Sequence, residues 1–268
     1  MNTTVDHSDS ALCDAFCDIA LKAGAKIMAI YATDFTTEQK EDASPVTAAD
    51  KAAEAIILAA LEKIAPSLPV LAEERASEGD IPELGDEFIL VDPLDGTREF
   101  INRTGEFTVN IALIRKQRPV LGVVYAPAIN KLYAGLCGVG AWRSVIDKDG
   151  APGMRDPIAA VRAPSDGLIA VASRSHRSPE TDAYLETLNV ADFAAAGSSL
   201  KFCLIAEGAA HLYPRFGRTM EWDTAAGQAV LEAAGGGVRS HPDGAPLRYG
   251  KKERDYDNPY FIAAGPAA

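Results

Sequence analysis

The stretch FILVDPLDGTREF, Phe88–Phe100, decides how the rest of the chain is read. The apolar run Phe88–Val91 predicts a buried strand, which places Asp92 at its carboxyl end. Pro93 stiffens the exit, and Gly96 permits a backbone geometry that a side chain would obstruct. Thr97 then stands at a helix start, where unpaired N–H groups favour an anion. Two acids able to hold a hard cation, beside amides able to hold a phosphate, form a coherent phosphate-chemistry site. The other reading is that Asp92 and Asp95 cap a turn and a helix, as aspartates often do. The stretch alone leaves both open.

Other acids recur in similar settings. Glu73 and Glu74 follow the apolar PVLA run, again at a predicted strand end. Two inward-facing acids there repel unless a counter-ion lies between them, whereas a solvated loop needs none. Asp223 follows Trp222 and opens DTAAGQAVLEAAGG, where a helix N-cap competes with a metal ligand. Asp50 lies in SPVTAADKAAE, and Thr47-x-x-Asp50 resembles a capping box.

Composition narrows the chemistry. The 268 residues are 47% hydrophobic and 24% charged, ordinary values for a soluble globular protein. A net charge of −12 without any basic stripe argues against a nucleic-acid polymer as partner. The same charge requires cations if the substrate is anionic, and metal ions are the obvious source. Cys13, Cys17, Cys137 and Cys203 form no C-x-x-C pair and show no zinc spacing with the four histidines. Cys13 and Cys17, one helical turn apart, are expected to face a core. Gly138-Val139-Gly140 lacks the third glycine of a dinucleotide fingerprint and reads as a hairpin bend. With no signal-peptide pattern and no apolar run long enough to span a bilayer, a reducing cytoplasmic setting is expected. Loose attachment to the inner face of the cell membrane is compatible with this reading.

Periodicity predicts a helix over 9–32, a polar connector FTTEQKEDASP, and a second helix ending before Pro66. From Phe107 to Ser144 the pattern predicts antiparallel strands joined by hairpins. A Gly-, Pro- and charge-rich segment, 147–166, suggests a boundary between halves, 1–160 and 161–268. The second half alternates strand and helix, predicting a layered αβα arrangement. No internal repeat or low-complexity segment is present.

Taken together, Glu73-Glu74, Asp92-Pro93-Leu94-Asp95-Gly96-Thr97 and Trp222-Asp223 resemble the inositol monophosphatase superfamily of metal-dependent, lithium-sensitive phosphatases. PVTAAD is similar to its upstream aspartate segment. The stretches Asp92–Ile114 and Gly197–Gly236 are similar to its CysQ-type, 3′(2′),5′-bisphosphate nucleotidase branch, and Arg98-Glu99-Phe100 departs from the inositol branch.

The resemblance implies an α+β fold, a layered αβαβα sandwich of the sugar-phosphatase type. It implies Mg²⁺ as cofactor, with one ion held by Glu73, Asp92 and the Leu94 carbonyl, and a second by Asp92, Asp95 and Asp223. A third, more weakly held ion would lie near Glu73. Asp50 and Thr97 would orient the attacking water, with Glu73 part of the catalytic set, and the Gly96 and Thr97 amides would hold phosphate oxygens. The implied reaction removes the 3′-phosphate of adenosine 3′,5′-bisphosphate, giving AMP and phosphate without a covalent intermediate, a step of sulfur metabolism. Ser198, Ser199 and Lys201 are candidates for the second phosphate or the sugar. His176, Tyr213 and Arg215 are further candidates, and Arg174 and Ser175 share the strand end of His176. Rival readings are an inositol or sugar monophosphatase on the same scaffold and a catalytically silent metal- or nucleotide-binding module. A homodimer is compatible with either enzymatic reading.

Overall fold

The structure is a computed structural model describing residues 7–33, 37–39, 45–172 and 178–266. Helix α1 (His7–Tyr31) buries Cys13, Phe16, Cys17, Ala20, Ala23 and Ile27, a stripe at helical spacing. Leu12 and Ile30, at the same spacing, are only partly buried against it. The polar connector is not wholly irregular: strands β1 (Thr37–Gln39) and β2 (Pro45–Thr47) pair antiparallel, and residues 34–36 and 40–44 lie outside the described part. Helix α2 (Ala48–Ile64) follows β2 directly.

Seven strands form the first sheet, in the order β3 (Val70–Ala72), β4 (Glu87–Asp95), β5 (Thr108–Arg115), β6 (Arg118–Ala126), β7 (Lys131–Leu136), β8 (Gly140–Val145) and β9 (Asp156–Ile158). β3 runs parallel to β4, and every later neighbour is antiparallel. This is the hairpin succession expected from Phe107 onward, with the Gly138–Gly140 bend joining β7 to β8. The segment 147–166 is not purely a linker, since it supplies edge strand β9. Short helices α3 (Glu73–Ser77) and α4 (Thr97–Ile101) leave the ends of β3 and β4.

The second sheet comprises β10 (Leu168–Ala172), β11 (Val190–Ala195), β12 (Leu212–Arg215), β13 (Gly237–Ser240) and β14 (Phe261–Ala264), ordered β11-β10-β12-β14-β13. Its helices are α5 (Pro179–Glu186), α6 (Leu200–Ala206) and α7 (Ala225–Ala233). Within DTAAGQAVLEAAGG the helix occupies only Ala225–Ala233.

Strand alternation builds the layers. Ile89 and Val91 of β4 pack with α1 and α2, whereas Phe88 and Leu90 face α6 and α7. Tyr213, Val238, Phe261 and Ala263 meet α6 and α7 from the second sheet, and Leu212 faces Leu185 of α5 on the far side. The result is the expected αβαβα sandwich, with α6 and α7 shared between sheets. The proposed division near residue 160 falls between the last strand of one sheet and the first of the other.

Small residues let α7 approach the first sheet closely. A Cβ built on Gly135 of β7 would stand 2.6 Å from Val230 Cα and 2.8 Å from Ala229 O. That contact sets where the start of α7, and the Trp222-Asp223 turn before it, meets the sheet. No helix among the described residues is long and apolar enough to cross a membrane.

Candidate active site

Parity along β4 carries Asp92 to the same face as Phe88 and Leu90, toward α7. There its carboxylate is almost fully buried, 1% exposed. The strand does not end at Val91 as expected: it continues to Asp95, pairing with Thr108, after an irregularity between Asp92 and Asp95. Pro93 lies in that irregularity, where a missing backbone donor does least harm to the ladder. Asp92 Oδ1 accepts the Leu94 N–H at 3.0 Å, so the turn-capping reading of Asp92 holds. The helix-capping reading does not, because α4 has Gly96 at its N-cap and receives no side-chain cap.

Gly96 has φ of 94°, in the left-handed region, and a Cβ there would stand 3.2 Å from Glu106 O and 3.3 Å from Phe107 Cα. Both constraints select glycine. Thr97 is the first residue of α4, and its hydroxyl donates to the Leu94 carbonyl at 3.4 Å.

Three other segments bring acids to Asp92, beside Asp95 of its own strand. Burial is the first cause that raises its pKa well above the ordinary carboxylate range, followed by the charges of Glu73, Asp95, Asp223 and Asp50. Asp223 is raised well above its usual value by burial, then by Asp95 and Glu73, with Arg215 opposing. Asp95 is raised by burial, against which the Lys201 ammonium and the Ser199 N–H act. Mutual raising of this kind requires proximity.

The placement of each acid refines the expectations. Glu73 and Glu74 open helix α3 rather than a solvated loop, and Glu74 is buried. Asp223 is not a helix N-cap: Thr224 occupies that position, and Asp223 Oδ2 turns back to accept the Met220 N–H at 2.8 Å. Asp50 lies in the first turn of α2, 2% exposed. Its capping-box partner Thr47 has a side chain outside the described part. β2, which leads into Asp50, packs against α4, which begins with Thr97.

Asp95 ties the two halves together. Its Oδ2 accepts the Ser199 N–H at 2.6 Å and Asn110 Nδ2 at 3.3 Å. Asn110, which pairs with Asp92 across the ladder, also donates to Ser199 Oγ at 3.1 Å, and Ser199 Oγ donates to the Asp223 carbonyl at 2.7 Å. Ser199 is thus a structural bridge between two acids. Lys201 is 7% exposed and donates to the Ser198 carbonyl at 2.9 Å. Tyr213 is chiefly core, its ring against Phe202 and Phe261, with the Lys201 ammonium 5.5 Å from its centroid. Arg215 ends β12, within electrostatic reach of Asp223. Arg174, Ser175 and His176 lie outside the described residues.

Two functional residues escaped sequence reasoning. Glu54 of α2 is buried, and its two oxygens accept the N–H groups of Glu74 at 2.8 Å and Arg75 at 3.1 Å, holding the start of α3. Its pKa is pushed up to about 7, first by burial. The available signal was its spacing from Asp50, four residues along one face of α2. Asn110 could not be found locally, because an asparagine inside a strand carries no signature of what it faces.

The donor set fits a hard divalent cation: carboxylates and a carbonyl, mutually repelling and buried. Ser198 Oγ, Asn110 Oδ1 and Trp222 Nε1 are also buried without a hydrogen-bond partner among the described residues, which suits a polar ligand. Among the described residues, no three His, Cys, Asp or Glu side chains are gathered tightly enough to hold a metal ion as they stand.

The model of the inositol monophosphatase family matches residues 9–267. The 3′(2′),5′-bisphosphate nucleotidase CysQ of Escherichia coli O157:H7 is 47% identical over 250 residues, covering 92% of this chain and 97% of the relative. CysQ of Buchnera aphidicola subsp. Acyrthosiphon pisum (strain APS) is 41% identical, covering 97% and 96%. The crystal structure of CysQ from Bacteroides thetaiotaomicron superposes with a TM-score of 0.80 at 41% identity, covering 96% of this chain and 98% of that one. An inositol monophosphatase from Anabaena gives 0.74 at 26% identity, covering 96% and 91%. The chain belongs to the inositol monophosphatase family.

Proposed function

We propose that this chain is a magnesium-dependent 3′(2′),5′-bisphosphate nucleotidase that removes the 3′-phosphate of adenosine 3′,5′-bisphosphate, leaving AMP and phosphate. The observation that carries the reading is the convergence of Glu73, Asp223 and Asp50, drawn from three other segments, on the buried Asp92–Asp95 end of β4. The branch is supported by relatives bearing that activity in their names at 41–47% identity over nearly the whole chain.

In this reading Glu73, Asp92 and the Leu94 carbonyl hold one ion, and Asp92, Asp95 and Asp223 a second. When bound, magnesium supplies the positive charge that activates water and offsets phosphate charge. The chain's own groups do the rest. Asp50, at the start of α2, would accept a hydrogen bond from the Thr97 hydroxyl once that hydroxyl turns from the Leu94 carbonyl, and so direct its lone pair toward the attacking water. The Gly96 and Thr97 amides face the phosphate oxygens. Lys201 and Arg215 supply cationic charge beside the Asp95–Asp223 pair for the substrate's second phosphate, and Ser198 offers a buried hydroxyl. Asp95 and Asp223 are held by N–H donors, which keep their oxygens aimed. Water attacks phosphorus directly, so no carboxylate becomes covalently linked.

A phosphate-release assay across nucleotide bisphosphates and inositol monophosphates, with and without magnesium, tests the proposal. Metal-dependent turnover preferring adenosine 3′,5′-bisphosphate is expected. A strong preference for the inositol ester would shift the assignment within the family. No release from any ester would support the silent binding module.

A further inference from the structure

The C-terminal segment Arg248–Asn258 crosses the chain beside the Trp222-Asp223 turn. Two of its residues, half-buried Lys251 and buried Asn258, engage that turn through their side chains. Glu221, two residues before Asp223, is 0% exposed and accepts the N–H groups of Gly250 at 2.7 Å and Lys251 at 2.8 Å, along with the Lys251 ammonium at 2.7 Å. A buried carboxylate with three donors is a well-satisfied charge, and one left without them would be costly. The Lys251 ammonium also reaches Asn258 Oδ1 at 3.1 Å, joining the two residues.

Asn258, 3% exposed, grips the other side of the turn. Its Nδ2 donates to the Met220 carbonyl at 2.8 Å and Thr224 Oγ1 at 3.0 Å, while its own N–H donates to the Thr219 carbonyl at 2.9 Å. The Glu221 N–H is taken by the Tyr256 carbonyl at 2.9 Å. Met220 is the residue whose N–H holds Asp223 Oδ2. Besides the Ser199 hydroxyl at the Asp223 carbonyl and the α7 N–H groups at the Glu221 and Thr224 carbonyls, the outside bonds described to the backbone of the 219–224 turn, at Thr219, Met220 and Glu221, come from this segment.

We propose that Lys251 and Asn258 are positioning residues for Asp223: the segment clamps the 219–224 turn so that Asp223 presents its carboxylate to Asp92 and Asp95. The inference rests on the proposed metal-dependent reaction and deepens it. Residues that orient a ligand by hydrogen bonding typically cost about ten- to a hundredfold in metal affinity or activity when removed. The clamp acts on one ligand of one ion, so its loss shows first in magnesium affinity.

The test compares wild type with Asn258→Asp, which keeps shape but turns the two donors into acceptors, and Lys251→Met, which strips the ammonium from Glu221. Arg115→Ala, which breaks the distant Arg115–Asp9 ion pair at 3.0 Å, controls for general destabilisation. Magnesium binding by calorimetry, the magnesium-induced rise in Tm, kcat and substrate KM are measured on the full chain. In the two clamp variants, magnesium half-saturation rises by about ten- to a hundredfold, in keeping with lost ligand support. Saturating magnesium restores most of kcat, and substrate KM changes little. Arg115→Ala lowers Tm without moving magnesium affinity. If Lys251→Met does not fold, Asn258→Asp, which leaves the ion pair in place, carries the same expectation. Wild-type magnesium affinity in a folded clamp variant overturns the inference. A wild-type chain that neither binds magnesium nor releases phosphate overturns the proposed function instead, so the two failures are distinct.

Discussion

Glu54 and Glu74 meet through a 2.8 Å hydrogen bond in which the Glu54 carboxylate accepts the Glu74 N–H. An acid of α2 thereby caps α3, the helix whose first residue is Glu73. Its second oxygen takes the Arg75 N–H, so both acceptor positions are used. Glu54→Gln retains only one acceptor and points an NH₂ group at a backbone donor. Above a pH of about 7, where Glu54 is ionised, loss of a charge-assisted bond of this kind costs about 1.5–3 kcal/mol, read as a lower urea midpoint with an unchanged slope. An unaltered midpoint would remove Glu54 from the support of α3.

Asp95→Asn keeps an oxygen for the Ser199 N–H but removes a negative charge from the proposed second ion. Turnover is expected to fall on the order of a hundredfold or more, beyond the usual effect of an outer partner, while the circular dichroism spectrum stays unchanged. A near-normal rate in that variant would take Asp95 out of the metal shell.

The acids also set a pH dependence. Folding raises Glu54 from 4.5 to about 7, chiefly by burial, and raises Asp92, Asp95 and Asp223 in the same direction. Between 4.5 and about 7 the native state therefore holds protons that the unfolded chain has lost. Stability falls with rising pH wherever the native state binds more protons. Metal-free protein should lose Tm as pH rises through that window. Magnesium needs the ionised carboxylates, so its stabilising increment should be larger above the window than below it. An increment independent of pH would contradict the proposed ligand set.

Gly135→Ala tests the seating of α7. The added Cβ would stand 2.6 Å from Val230 Cα, and no flexible side chain is there to yield. Overpacking of this kind costs about 1–3 kcal/mol, and pushing α7 away also draws Asp223 from Asp92. Both Tm and magnesium affinity should drop, as thermal unfolding with and without the ion will show. An undisturbed Tm would mean that the sheet and helix have more slack than the contact implies.

What was legible in the sequence followed from local physics. The unbroken apolar run Phe88–Val91 and the helical spacing in α1 identified their elements, because each reports burial. The DPLDGT turn was readable because proline and glycine restrict the backbone in known ways. Boundaries were less clear: β4 runs on to Asp95 because Thr108, distant in sequence, offers it a ladder partner. Glu73 was read at a strand end, yet it begins a helix, because Glu54 supplies the cap from another element. The grip of Asn258 on Met220 was likewise illegible, since 38 residues separate them. The acids themselves announced a charge problem, but only folding shows which partners hold them in place.

The most direct measurement is anomalous diffraction from a crystal soaked in manganese, standing in for magnesium. Ion peaks are expected among the carboxylates of Glu73, Asp92, Asp95 and Asp223, with oxygens closing to about 2.0–2.2 Å as octahedral hard cations demand. An active crystal form whose ions lie elsewhere, with these four side chains left apart, would contradict the account.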